Sequence, residues 1–297
     1  IYVDKSKLIA KTNEVLCTEQ KYICVSRPRR FGKSMAANML VAYYGKGDDS
    51  YELFKPFKIA KDPDFKKHLN QYNAIHLNMQ QFLGRTESVE EMMELISRKV
   101  VRELKREFPQ VTYYEEDLVS VLEEIYSQTR SYFVFVIDEW DCIFREYAED
   151  KAAQERYLDF LRDFLKDKAH IHLAYMTGIL PIKKYGTHSA LNMFDEFSMA
   201  NPGVLAQYVG FTENEVRCLC SDYQMDLAEI KEWYDGYRFE KASSIYSPRS
   251  VVAAMTSGIC DSYWNQTETF EALRGYIDMN FDGLKDDVLN LTAGEMV

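Results

Sequence analysis

The sequence predicts an α/β fold, a parallel sheet with helices on both faces, from three observations. Short apolar runs alternate with longer amphipathic segments through the first two-thirds of the chain; one such run leads through a basic turn into a helix, and another ends in the adjacent carboxylates Asp138 and Glu139. Alternating strand and helix patterns build parallel sheets, because each return to the same strand direction needs a crossover, usually helical.

Each element follows from its pattern. Strands are expected at 22–26, 74–78, 132–138 and 171–177, where apolar residues run without a helical period. A helix is expected over 35–44, and another over 89–108, where Val89, Met92, Met93, Ile96, Val100, Leu104 and Phe108 recur every three or four residues. Leu118, Val121, Leu122 and Ile125 repeat that spacing, as do Tyr157, Leu158, Leu161, Phe164 and Leu165. On the same grounds Met35, Met39, Met92 and Met93 are expected to fill core space. Past Asn201 the pattern changes to short helices with polar connections. Asn201-Pro202-Gly203 is the expected boundary, dividing an α/β core at 1–202 from a mostly helical unit at 203–297. Thr212 with Glu215 reads as a capping box, and Ser247-Pro248 as an N-cap followed by a first helical residue.

A net charge of -11 over 297 residues argues against a surface that coats nucleic acid, since neutralising phosphates needs clustered Lys and Arg. Any such contact would be local. No stretch of about 18 uncharged apolar residues offers a membrane span. The six cysteines include no C-x-x-C pair, so reduced, buried, structural thiols in a cytoplasmic protein are expected, with the two thiols of Cys218-x-Cys220 on different sides of a helix. The first residue, Ile1, and the unpatterned end at Val297 suggest a fragment with a further domain beyond it.

The candidate chemistry begins at Arg27-Pro28-Arg29-Arg30-Phe31-Gly32-Lys33-Ser34, which joins the first strand to a helix opening at Met35. That context is what a phosphate-binding loop needs. Gly32 lets backbone N–H groups close on phosphates, Lys33 reaches the β and γ oxygens, Ser34 ligates magnesium, and the helix N-terminus adds its dipole. Arg27 stands where the motif's first Gly would be. It must therefore take a backbone geometry open to a side chain, and Pro28 biases it toward an extended one. A chance Gly-Lys-Ser at a helix start is the plainer alternative.

The strand at 132–138 ends in Asp138 and Glu139 at the sheet edge where such folds place ligands. Asp138 would hold magnesium opposite Ser34, and Glu139 would polarise the attacking water. Thr177, at the end of the next strand, is a candidate sensor of the γ-phosphate; alternatively its hydroxyl caps the turn before Leu180 and Pro181. His170 and His172 lack a metal-ligand partner set and read as satisfied structural histidines, and His68, His76 and His188 stand alone. The aromatic group Trp233, Tyr234, Tyr237 and Phe239 reads as a packed turn.

These residues together resemble the bacterial predicted AAA-ATPase-like proteins, whose ATPase domain often precedes a PD-(D/E)XK nuclease-like domain. The resemblance rests on Tyr2-Val3-Asp4-Lys5, the loop from Ser26 to Ser34, Ile137-Asp138-Glu139 with Asp141, Thr177-Gly178, Gly210-Phe211-Thr212, the stretch from Trp233 to Phe239, and Tyr246 with Pro248, Ser250 and Val251. It implies an ASCE-type P-loop NTPase core, a small helical or winged-helix lid, and a nuclease-like domain beyond Val297. Arg commonly replaces the first loop Gly in that family. Arg249 departs from the family's usual Trp; a surface arginine is the plainer reading of it, with a lid arginine reaching the nucleotide as the alternative, and Arg238 is a comparable candidate.

The expected function is a magnesium-dependent ATPase that couples ATP and ADP states to domain movement or to an appended effector. Its catalytic residues are Lys33, Glu139 and Thr177, its nucleotide-binding stretch runs from Arg27 through Met35, and its metal ligands are Ser34 and Asp138. Arg29 or Arg30 would add charge at the phosphates; alternatively an arginine finger comes from a neighbouring subunit, which would make the protein an oligomer. The alternative is a nucleotide-binding scaffold without turnover, or a DNA-recruiting module using Lys231, Arg238 and Lys241. No guanine-reading N-K-x-D stretch appears, which favours ATP over GTP.

Overall fold

All four expected strands enter one parallel sheet. The computed structural model describes residues 1–182, 191–234, 237–239 and 242–263. Strands β1 (Tyr22–Ser26), β2 (Asn73–Asn78), β3 (Phe133–Asp138), β4 (Ile171–Gly178) and β5 (Asp195–Phe197) pair in the order β2-β3-β4-β1-β5, every pairing parallel. β1 and β3 are buried along their whole length, as central strands covered by helices should be. β5 had no counterpart in the sequence reading. It is three residues long and begins Asp195-Glu196, too short and too polar to carry a periodic signal.

The sheet is flanked by α1 (Lys7–Val15), α2 (Lys33–Tyr44), α3 (Met79–Leu83), α4 (Val89–Glu107), α5 (Leu118–Thr129), α6 (Cys142–Glu146) and α7 (Lys151–Leu165). Their limits follow from local chemistry. Ser88 caps α4 by accepting from the Glu91 N–H at 3.1 Å, Glu90 and Glu91 occupy its first turn, and Lys105 and Arg106 its last, each sign matching the helix dipole. Its buried residues include Met92, Ile96, Val100 and Leu104, four of the positions whose spacing predicted the helix.

Three expectations about side chains need correction. Met35 is 64% exposed; Ala36, Ala37, Leu40, Tyr43 and Tyr44 form the core face of α2. Four thiols are buried, but Cys17 and Cys218 are exposed, and the Cys218–Cys220 pair does divide between the two environments. His170 and His172 are not satisfied by hydrogen bonds: Nε2 of one and Nδ1 of the other are buried without a partner, and the rings pack edge-on to Phe133 and stacked on Tyr132. His68 pairs with the Tyr72 hydroxyl at 2.6 Å, while His188 lies outside the described residues.

The chain divides into two compact units. One comprises residues 2–27 and 32–209, and the other starts at Gly210 and includes Pro28–Phe31. The second unit holds β6 (Phe211–Thr212), α8 (Glu213–Tyr223), α9 (Leu227–Tyr234), β7 (Tyr237–Phe239), β8 (Ala242–Tyr246) and α10 (Pro248–Ser257). Its strands form an antiparallel sheet in the order β6-β8-β7. In chain order the unit runs strand, helix, helix, strand, strand, helix, with its first strand pairing its last. Helices account for most of the described residues of this unit; the three strands were not marked in the sequence, because two- to five-residue strands hold too few positions to show alternation. Thr212 and Glu215 form the expected capping box. Ser247 makes no side-chain cap to α10, which begins on Pro248 alone. Trp233 and Tyr234 end α9; Asp235 and Gly236, where the packed turn is expected, lie outside the described residues, as do Lys241 and the side chains of Tyr237, Arg238 and Phe239. Among the described residues no helix is long and apolar enough to cross a membrane.

Candidate functional site

Strand order decides what meets what. β4 lies between β1 and β3, with Val25 in register with Thr177 and Ile137 with Met176, so the C-terminal ends of the three strands bring Arg27, Asp138 and Thr177 to one sheet edge.

The loop leaves β1 with the Arg27 N–H donating to the Gly178 carbonyl at 3.1 Å. Arg27 is not among the residues with positive φ, in keeping with the geometry expected of a residue bearing a side chain. Its guanidinium is fully buried and donates through Nη1 to the carbonyls of Ser26 (2.9 Å) and Phe197 (2.6 Å), tying β1 to β5. Burial pushes its pKa down to about 10. Nε and Nη2 of Arg27 are buried without a partner. The turn is made by Arg30 (φ 69°) and Gly32 (φ 89°). A Cβ on Gly32 would meet nothing within 4 Å, so this glycine serves the left-handed backbone rather than close packing. Arg249 and Arg29 stand close enough to Arg30 to join desolvation in lowering its pKa.

Lys33 opens α2 with its side chain buried, and its ammonium donates to the Arg27 carbonyl at 2.9 Å. Desolvation pushes its pKa below the ordinary lysine value against the opposing pull of Glu139, Asp141 and Asp138, the carboxylates that face it. Ser34 and Met35 are exposed.

Asp138 ends β3 with 1% exposure, and its Oδ1 accepts from the Thr177 hydroxyl and from the Glu139 N–H at 3.1 Å. Thr177 thus spends its hydroxyl on Asp138, and not on the turn before Leu180 and Pro181. Glu139 turns through φ 57°, a left-handed conformation that costs a residue with a side chain roughly 1–2 kcal/mol. The turn is held by the Trp140 N–H to the Thr177 carbonyl (3.0 Å) and the Tyr157 hydroxyl to the Trp140 carbonyl (2.7 Å). Burial raises the Glu139 pKa, and Arg145 and Lys33 oppose that rise.

Two more side chains join this edge: Asp141, which entered the sequence reading only as part of the resemblance and with no role, and Arg145, which did not enter it. Asp141 is fully buried and its Oδ2 accepts from the N–H groups of Ile179 (3.0 Å) and Leu180 (2.9 Å), fastening the turn after β3 to the turn after β4. Arg145, on α6, pairs with Glu139 at 2.5 Å and with Asp141 at 3.4 Å. The Asp141–Arg145 spacing of four on a short helix was the available signal.

A buried ammonium, a helix N-terminus, an acidic strand end and a hydroxyl between them form an arrangement suited to phosphates and a divalent cation. A family model described as predicted AAA-ATPase matches residues 1–187, more than half of the chain. The chain belongs to this family. This predicted AAA-ATPase has a parallel-sheet P-loop NTPase-like core, and the family carries nucleotide binding at that general level. It is 21% identical over 279 residues to an uncharacterized protein in the vnfD 5′ region of Azotobacter chroococcum mcd 1, matching 90% of this chain and 51% of that protein. The chain therefore spans about half the length of the curated relative it matches. A structure of the Aeropyrum pernix ORC1 protein in complex with DNA is similar at 11% identity and a TM-score of 0.42, over 74% of this chain and 49% of that one. At that score the likeness supports neither a function nor a partner.

Proposed function

We propose that the chain hydrolyses ATP with magnesium at the β1–β3–β4 edge and passes the change of nucleotide state to its second unit or to an appended effector. The observation that carries this reading is the convergence of buried Lys33 with Asp138, Glu139 and Thr177 on that edge. Lys33 and the loop amides from Arg29 to Ser34 bind the phosphates, with Arg27 and Pro28 shaping the entry to the loop, Arg29 and Arg30 adding charge and Met35 in the first turn of the helix behind them.

The donor set fits magnesium. Ser34 presents an exposed hydroxyl, and Asp138 keeps Oδ2 clear of the bonds that engage Oδ1. These two would hold the ion, which supplies charge neutralisation at the β and γ oxygens when bound. Thr177 orients Asp138 by donating to it. Glu139 orients a water and takes its proton as the water oxygen bonds to the γ-phosphorus; the bond to the bridging oxygen breaks and ADP leaves with the electron pair.

One observation favours the non-hydrolysing alternative: Glu139 is already engaged by Arg145. The DNA-recruiting reading gains no such support, since Lys231 pairs with Glu213 at 2.9 Å and the other charges of α9 are Glu229 and Glu232. A nuclease-like domain is a proposed partner on the strength of the resemblance, and a neighbouring subunit as a source of an arginine finger.

The test is phosphate release from magnesium ATP by the purified chain, with thermal shift as the binding readout. Lys33→Ala should weaken ATP binding about 10- to 100-fold, the loss of a charge-assisted contact. Glu139→Gln should bind ATP as the wild type does yet release phosphate about 10²–10⁴-fold more slowly. Tight binding without release from the wild type would favour the scaffold.

A further inference from the structure

The bond that speaks against turnover also suggests how turnover is controlled. Arg145 Nη2 meets Glu139 Oε2 at 2.5 Å, and the same nitrogen donates to Gln80 Oε1 at 3.2 Å, while Nε lies 3.4 Å from Asp141 Oδ2. The guanidinium thus hydrogen-bonds through Nη2 to the turn after β3 and to helix α3, and Nε adds an ion-pair contact at the start of α6. Asp141 is itself pinned to the N–H groups of Ile179 and Leu180, so the fold, and not a bound phosphate, sets where Arg145 stands. The Glu139 side chain retains 23% exposure, against 14% for Arg145, so the carboxylate can meet water once the pair opens.

We propose that Arg145 is a brake on hydrolysis: its ion pair with Glu139, braced by Gln80, must open before the carboxylate can accept a proton from water. This rests on the ATPase reading above and adds the regulation of that site. A carboxylate oxygen that already receives a guanidinium N–H has that position engaged, so a water cannot hydrogen-bond there until the pair opens. Anything that draws Arg145 away from Glu139 would then act as an activator. The nearest acceptors for such a movement are on Gln80 and Asp141, which makes α3 the element through which release would be transmitted.

The experiment is steady-state phosphate release by the full chain carrying Arg145→Gln, with ATP binding read by thermal shift. The variant should raise kcat roughly tenfold at unchanged KM, the fold-change expected for loss of a charge-assisted hydrogen bond. Adding Glu139→Gln to it should return release to the level of Glu139→Gln alone. Removing Arg145 also leaves buried Asp141 without its cation, so Gln80→Ala provides a milder second variant; it loosens the brace without touching a charge and should raise kcat about two- to threefold. Folded variants that bind ATP and release phosphate no faster than the wild type would overturn the brake while leaving the ATPase reading intact. Absence of ATP binding from the wild type would overturn both.

Discussion

Gly178 stands between the two turns of the candidate site. A Cβ there would come within 2.5 Å of Trp140 Nε1 and 2.9 Å of Asp141 Oδ1, both on fully buried side chains that have no room to yield. Gly178→Ala is expected to cost about 1–3 kcal/mol of stability, the usual penalty of overpacking, and to lower phosphate release with it by displacing Asp138 and Thr177. Urea unfolding beside a phosphate-release assay checks both; an unchanged midpoint would mean that the indole moves aside. Arg27 makes a related point. The sequence marks it as a departure from the loop motif, but the side chain faces Ser26 and Phe197, and its backbone carbonyl is the part that meets Lys33. Its position in the loop was legible, whereas the direction of its side chain was not, because β5 was not.

At the scale of elements, strong periodicity translated directly into structure. The fully buried run Phe133–Asp138 and the amphipathic Val89–Glu107 appear within one residue of their expected limits, since each buries enough apolar surface to override local alternatives. Weak local signals succeeded where the chemistry was reciprocal. Thr212 accepts from the Glu215 N–H at 3.4 Å while Glu215 accepts from the Thr212 N–H at 2.8 Å. Thr212→Ala should destabilise α8 by about 1 kcal/mol, measured as a shift of the denaturant midpoint. An effect below a few tenths would show that packing of Val216, Leu219 and Cys220 alone defines that helix start.

For the molecule as a whole, acid is the condition that should expose its weakest balance. Burial pushes both His170 and His172 down to about 4, from an ordinary value of 6.5. The unfolded chain therefore binds more protons than the folded one between those limits. The stability associated with these groups is complete above pH 6.5 and is lost as pH falls toward 4. For His170, with 1% exposure, the loss is on the order of 3 kcal/mol at most. His170→Phe, which keeps a ring against Phe133, should flatten the fall in unfolding free energy between pH 7 and pH 5; an equally steep fall in that variant would assign it to other groups.

What the sequence determined by itself was the class of fold, the four main strands and the order of the chemically active positions, because these depend on spacing and residue type over short distances. Gly32-Lys33-Ser34 after one buried strand and Asp138-Glu139 at the end of another are local patterns. Tertiary structure alone decided which of them meet. The insertion of β4 between β1 and β3 carries Thr177 to Asp138, 39 residues apart in sequence, and the start of α6 brings Arg145 back onto Glu139 with Gln80 behind it, 65 residues away. Neither pairing has a period, a cap or a spacing to announce it. The first joins strands 39 residues apart; the second spans only six residues, but the left-handed turn at Glu139 and the brace from Gln80, 65 residues away, decide it.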